Sequence, residues 1–161
     1  MTIKVGDKLP EATLRVVTAE GPKPVTTADF FGGRKVVLFG LPGAFTPTCH
    51  KNHLPGFLAE EAAFKAKGVG KIAMTSVNDP FVLAEWSKAT GSAGHIDFLS
   101  DGNAEFAKAL GLEFDASAGG LGVRSKRYAM LIEEGVVKLL NVEESPGKAD
   151  LSSAAHLLKE I

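Results

Sequence analysis

Apolar residues along the chain fall in short runs cut by glycine and proline, and the runs switch between strand and helix periods. Residues 12–18 alternate and predict a strand suited to a sheet edge. Lys35 to Gly40 is a β-branched and apolar run bounded by Gly33 and Gly40, the pattern of a buried central strand. From Pro47 to Lys67, Leu54, Phe57, Leu58, Ala62 and Phe64 recur at helical spacing. Pro55 lies inside that stretch without the N–H a helix needs, so a kink or break is predicted there. Gly70 to Val77 predicts a second buried strand, and Pro80 to Ala89 a helix with Asp79 as N-cap and Pro80 in its first turn. A short strand over 96–99 and a helix over 101–111, ended by Gly111, follow. Residues 127–133 and 136–142 predict strands joined as a hairpin through Glu133-Glu134-Gly135. Asp150 to Ile161 reads as a terminal helix with Asp150 as its cap. The order implies an α/β fold: a mixed central sheet with helices on both faces.

No repeat, low-complexity tract or linker interrupts this order, and 161 residues suit one domain, so 1–161 is expected to fold as a unit. Eighteen Lys and Arg against 19 Asp and Glu leave a net charge of −1, which argues against a nucleic-acid partner. Apolar runs such as 36–39 fall far short of the ~20 residues needed to cross a membrane. The single cysteine, Cys49, excludes an internal disulfide and a Cys-based zinc cluster. Residues 1–7 carry no basic-then-apolar signal, so a reducing, cytoplasmic setting is expected.

In such a setting a lone thiol is either an inert core residue or a reagent. Cys49 lies in Gly40-Leu41-Pro42-Gly43-Ala44-Phe45-Thr46-Pro47-Thr48-Cys49-His50, between a predicted core strand and a predicted helix. With Thr46 as N-cap and Pro47 at the first helical position, Cys49 falls in the first turn, near free N–H groups and the positive end of the helix dipole. That seat favours a thiolate over a thiol and tips the reading towards chemistry. Thr46, three residues earlier, shares a helical face with Cys49, and its hydroxyl is placed to donate to an oxygen bound beside the sulfur. A Cys-x-x-Cys dithiol mechanism is excluded, since Thr46 stands at the first position.

Pro42-Gly43-Ala44-Phe45-Thr46-Pro47-Thr48-Cys49 resembles the peroxidatic-cysteine motif of the peroxiredoxins, in the form of the type II (type five) branch. Ser76 to Phe81, Ser125 to Met130 and Asn141-Val142-Glu143 fit that branch too, so the likeness covers nearly the whole chain. The resemblance implies a thioredoxin-like fold and a thiol-dependent peroxidase acting on hydrogen peroxide and alkyl hydroperoxides, with no metal or organic cofactor. Under it, Cys49 would be the peroxidatic cysteine, attacking the peroxide and becoming a sulfenic acid. Thr46 would hydrogen-bond the peroxide, Pro42 would shield the sulfur, and Arg127 would be the active-site arginine. Relatives with a second cysteine carry it where Leu151 or Ser152 stands, or where Met74 stands, so a one-cysteine form is implied. Its sulfenic acid would then be reduced by an external thiol: glutathione with glutaredoxin, or thioredoxin. Homodimers joined at the active-site end, with Gly43 and Phe45 near the contact, are also implied.

Other readings stay open on the sequence. Cys49 with His53, one helical turn on, could build a hydrolase, although a base so placed points along its helix, which favours a structural histidine. A redox sensor that signals through Cys49 oxidation is a further alternative. Arg124 reads as solvated, His50 as exposed, Phe81 and Trp86 as core or interface residues, and Gly119 to Gly122 as a loop with no strand feeding it.

Overall fold

The computed structural model describes residues 2–161. Its strands and helices, in chain order, are β1 (Thr13–Thr18), β2 (Gly21–Thr26), α1 (Thr27–Phe31), β3 (Lys35–Gly40), α2 (Leu54–Ala59), α3 (Glu61–Ala66), β4 (Lys71–Ser76), α4 (Pro80–Thr90), β5 (Asp97–Ser100), α5 (Glu105–Leu110), β6 (Glu113–Asp115), β7 (Val123–Ser125), β8 (Tyr128–Glu133), β9 (Val136–Val142) and α6 (Ala154–Glu160). Seven strands form one sheet in the order β2-β1-β5-β4-β3-β8-β9, in which β3, β4 and β5 run parallel and the other pairs antiparallel. The mixed sheet is as expected. Parallel pairing follows from the helical crossovers; the antiparallel pairs are the hairpins β1–β2 and β8–β9 and the long-range pairs β1–β5 and β3–β8.

Alternate residues of β3 build two cores. Val37 and Phe39 meet Leu54, Phe57, Phe64, Trp86 and Leu157 on one face, while Val36 and Leu38 meet Phe30, Phe31, Phe106 and Leu110 on the other. Helices α2, α3, α4 and α6 therefore cover one side, and α1 and α5 the other. No helix among the described residues is long and apolar enough to cross a membrane.

Several expectations need correction. The strand at 13–18 is not the edge: β2 pairs outside it, and its sequence Gly-Pro-Lys-Pro-Val-Thr hid it from a periodicity reading. Prolines are tolerated there because an edge strand can leave N–H positions unused. The long stretch from 47 to 67 is three pieces. A π-helical turn, Cys49–His53, precedes α2, and the break between α2 and α3 falls at Glu60 rather than at Pro55. Pro55 sits in the first turn of α2, where a missing N–H costs little. The helix predicted over 101–111 starts only at Glu105. Asp101 still serves it, accepting from the N–H groups of Phe106 and Ala107. The cap of α6 is Ser153, whose Oγ accepts from the His156 N–H, not Asp150. Strands β6 and β7 flank Gly119 to Gly122, so a strand does feed that loop.

Asp79 caps α4 as predicted, accepting from the N–H groups of Phe81 and Val82 at 2.8 and 2.9 Å. The β8–β9 hairpin turns at Glu134 and Gly135, both with positive φ, which is the backbone of a tight two-residue turn. Phe81 is 70% exposed, and only Trp86 of the pair belongs to the core.

Candidate active site

The parallel strands β3 and β4 end on the same side of the sheet, and the chain leaving Gly40 forms the turn 41–46 there. That edge is where open α/β sheets collect ligands. The turn is pinned by two side chains. Asn78 Oδ1 accepts from the Ala44 N–H at 2.9 Å and from Ser76 Oγ at 2.9 Å. Arg124 donates through Nη1 to the Pro42 carbonyl at 3.1 Å and through Nε to that of Leu121 at 2.9 Å. Arg124 is thus not simply solvated: it ties the turn to the 119–122 loop, and it does so close against Gly43, where a Cβ would lie 2.7 Å from its Nη1.

The helical stretch opens at Pro47, and the Thr46 carbonyl accepts from the His50 N–H at 2.8 Å. Thr46 therefore holds the predicted N-cap position, but its side chain does not cap. Its hydroxyl instead donates to the Gly43 carbonyl at 2.6 Å, an acceptor that the tight turn brings within reach. In the π turn that follows, the Cys49 carbonyl accepts from Leu54, one residue beyond the usual helical partner.

Cys49 is fully buried. Arg127, the residue just before β8, is 2% exposed and reaches its sulfur: Nη2 donates to Sγ at 3.0 Å. The rest of the guanidinium is held as well. Nε and Nη2 both donate to the Pro146 carbonyl, at 3.1 and 3.0 Å, and Nη1 lies 3.1 Å from His53 Nδ1. His53 Nε2 lies 2.9 Å from the Ser152 carbonyl, which can only accept, so the hydrogen sits on Nε2 and Nδ1 accepts from Arg127. Burial, and then the Arg127 charge, push the His53 pKa down to about 3, which keeps the ring neutral. Glu143 closes the loop behind: its Oε2 accepts from the Ser152 N–H and Oγ, each at 2.7 Å, while its own N–H donates to the Arg127 carbonyl at 2.9 Å.

Cys49 and His53, whose spacing allowed them to face one way, are both buried and both meet Arg127. Both His53 nitrogens are committed, however, so the ring holds the arginine and is not a base for the sulfur. Glu143, Ser152 and the Pro146 carbonyl escaped the sequence reading as supports, because nothing local marks a loop carbonyl as the seat of a distant guanidinium. An apolar hollow of about 390 Å³ opens beside the sulfur helix, lined by Pro42, Thr46, Phe114, Leu121, Arg127 and Pro146 among others. A larger groove, about 840 Å³, lies away from it between β1, β2 and α4.

Residues 4–158 match the redoxin family model. A rice relative, peroxiredoxin-2E-2, chloroplastic (Oryza sativa subsp. japonica), is 53% identical over 166 residues, covering 99% of this chain and 73% of the relative. The chain is a peroxiredoxin. Peroxiredoxin-2E, chloroplastic, of Arabidopsis thaliana is 46% identical, covering 99% of this chain and 70% of the relative. The crystal structure of reduced Prx3 in complex with H2O2 from Vibrio vulnificus superposes with a TM-score of 0.93 at 49% identity, covering 99% of both chains. The thioredoxin-like fold and thiol-dependent peroxidase activity implied by the motif both stand. The cytoplasmic setting does not: two of these relatives are chloroplast proteins. A lone thiol speaks for reducing surroundings, which more than one compartment provides.

Proposed function

We propose that this peroxiredoxin works through Cys49, with Arg127, Thr46 and Pro42 completing the site. One observation carries the reading. The buried Arg127 guanidinium, which keeps its charge, has no carboxylate partner among the described residues. Its acceptors are a carbonyl, a neutral ring and the Cys49 sulfur, and only the sulfur can become an anion. A buried, uncompensated cation is costly, so the pair is best satisfied as guanidinium and thiolate.

The thiolate attacks the terminal oxygen of a hydroperoxide. A sulfur–oxygen bond forms, the O–O bond breaks, and the departing alkoxide or hydroxide takes a proton to leave as alcohol or water. Negative charge moves from sulfur to oxygen along this path, and a fixed guanidinium beside it stabilises the spread charge. The Thr46 hydroxyl spends its one hydrogen on Gly43, so as placed it offers lone pairs to the peroxide O–H rather than a donated hydrogen. Pro42 walls the hollow, whose apolar lining suits an alkyl hydroperoxide as well as hydrogen peroxide.

The sulfenic acid then condenses with an external thiol, releasing water, and a second thiol frees Cys49 as a disulfide leaves. Glutathione with glutaredoxin, or thioredoxin, supplies those thiols. Phe45, just before Thr46, and Leu121, which lines the hollow, leave apolar surface exposed near the site, and a second copy covering them would give a dimer. Steady-state turnover of hydrogen peroxide with each reductant tests the reading. Loss of turnover in Cys49→Ser is expected, and turnover that survives it would refute the assignment.

A further inference from the structure

Phe45 is the residue just before Thr46, and it adopts φ +62°, a left-handed backbone that a bulky side chain rarely takes. Burial does not force it there, since the ring is half exposed. A stack does. The His50 ring lies on Phe45 with centroids 5.7 Å apart at 21°, and Trp86 closes the group at 6.4 Å from His50 and 6.2 Å from Phe45. Trp86 is fully buried, and its Nε1–H donates to His50 Nδ1 at 2.9 Å. An indole N–H can only donate, so that nitrogen of His50 must carry a free lone pair. Protonated histidine has none, and the Trp86 N–H would then be left buried and unpaired. The His50 main-chain N–H meanwhile holds the Thr46 carbonyl. One residue therefore grips the turn twice, through its backbone at Thr46 and through its ring at Phe45.

We propose that His50, as the neutral ring, is a positioning residue: it locks Phe45, and through Phe45 the Thr46 turn, against Trp86, and gaining a proton undoes the lock. The charged and titratable side chains on the surrounding elements leave His50 free to act so. Its own turn carries Lys51, together with Cys49 and His53, both of which are committed to Arg127. Helix α4 carries Glu85 and Lys88, which pair with each other at 3.3 Å. The turn 41–48 and α2 carry none.

Trp86 is the only tryptophan, so emission from the whole chain reads the contact directly. Lowering the pH from about 8 to about 5, the span in which histidine ordinarily changes charge, should change that emission in a one-proton step. The step should vanish in His50→Gln, whose side-chain oxygen accepts the indole N–H at every pH. Stopped-flow oxidation of Cys49 by hydrogen peroxide supplies the second readout. His50→Leu, with no acceptor, should react about tenfold more slowly at pH 8, and His50→Gln, which keeps the acceptor for Trp86 but not the stack on Phe45, should recover part of that loss. The ratio of native to His50→Gln rates should fall with pH along the emission curve. An emission step that persists in His50→Gln overturns the proposal, and so does a His50→Leu rate equal to the native one. Should His50→Leu not fold, the native and His50→Gln titrations still decide. The rate arm rests on the site assigned above. Turnover surviving in Cys49→Ser would sink that assignment alone, leaving the emission arm to judge the lock.

Discussion

Replacing Arg127 by methionine removes the one charged donor to the Cys49 sulfur while keeping a long apolar stem in its place. A hydrogen bond from a charged group is worth about 1.5–3 kcal/mol. If that interaction serves the transition state fully, its loss slows reaction with peroxide by about 10- to 150-fold, since each 1.36 kcal/mol is a factor of ten. The true loss should exceed the lower figure, because less of the sulfur will be anionic as well. Arg127→Lys separates charge from shape. An ammonium keeps the charge, but it is a single head without the planar fork that now reaches Sγ, His53 Nδ1 and the Pro146 carbonyl together. It should recover part of the methionine loss and no more. The assay is stopped-flow oxidation by hydrogen peroxide under single-turnover conditions, with thiolate absorbance followed against pH and folding checked by circular dichroism. A folded Arg127→Met chain that reacts at the native rate would show that the guanidinium merely fills space.

Acid should expose the cost of keeping His53 neutral. Its pKa falls from 6.5 to about 3 on folding, so between those values the unfolded chain binds the extra proton and stability rises with pH; going from pH 7 to pH 4 should cost about 3 kcal/mol through this residue. Urea unfolding at the two pH values should show that difference shrinking in His53→Gln, and an equal acid penalty in both chains would contradict it. Gly40→Ala should lose about 1–3 kcal/mol or more by overpacking, because a Cβ there would drive into the buried Tyr128 ring; an unchanged melting temperature would count against it.

The legible parts of this protein are those whose cause is local. The β3 run, the Asp79 cap and the Glu134-Gly135 turn are set by neighbours a few residues apart, and they appear where the pattern puts them. The same holds for Cys49 as a residue poised at the start of a helical stretch. Strand β2 was hidden because its two prolines read as loop, and only the edge position makes them tolerable. Strands β6 and β7 are three residues each, too short to show a period. The supports of Arg127 were hidden for another reason. They join residues 53, 127, 143, 146 and 152, and such contacts exist only once the sheet and its loops have closed. The motif could name the arginine by likeness, but it could not say what holds it.

That support explains how one buried sulfur can serve two different reactions. On the proposed assignment, the first step needs Cys49 held still and charged against Arg127, with the hollow by Pro42 and Thr46 beside its helix. The second step needs contact between the sulfur and another thiol, which a fully buried Sγ cannot make without the turn 49–53 opening. The two demands conflict unless the grip depends on the chemical state of the sulfur. Here it does. The Arg127 contact is strongest to a thiolate and weaker to a neutral sulfenic acid, because the charge that drew the guanidinium has gone. The Pro146 carbonyl and His53 also hold Arg127, and neither of those contacts depends on the charge of the sulfur. The π turn is the natural place to yield, since its hydrogen bonding is already one residue out of step with the helix that follows. On the proposed assignment, oxidation thus weakens one of the contacts that keep the sulfur in place, beside its packing in the core.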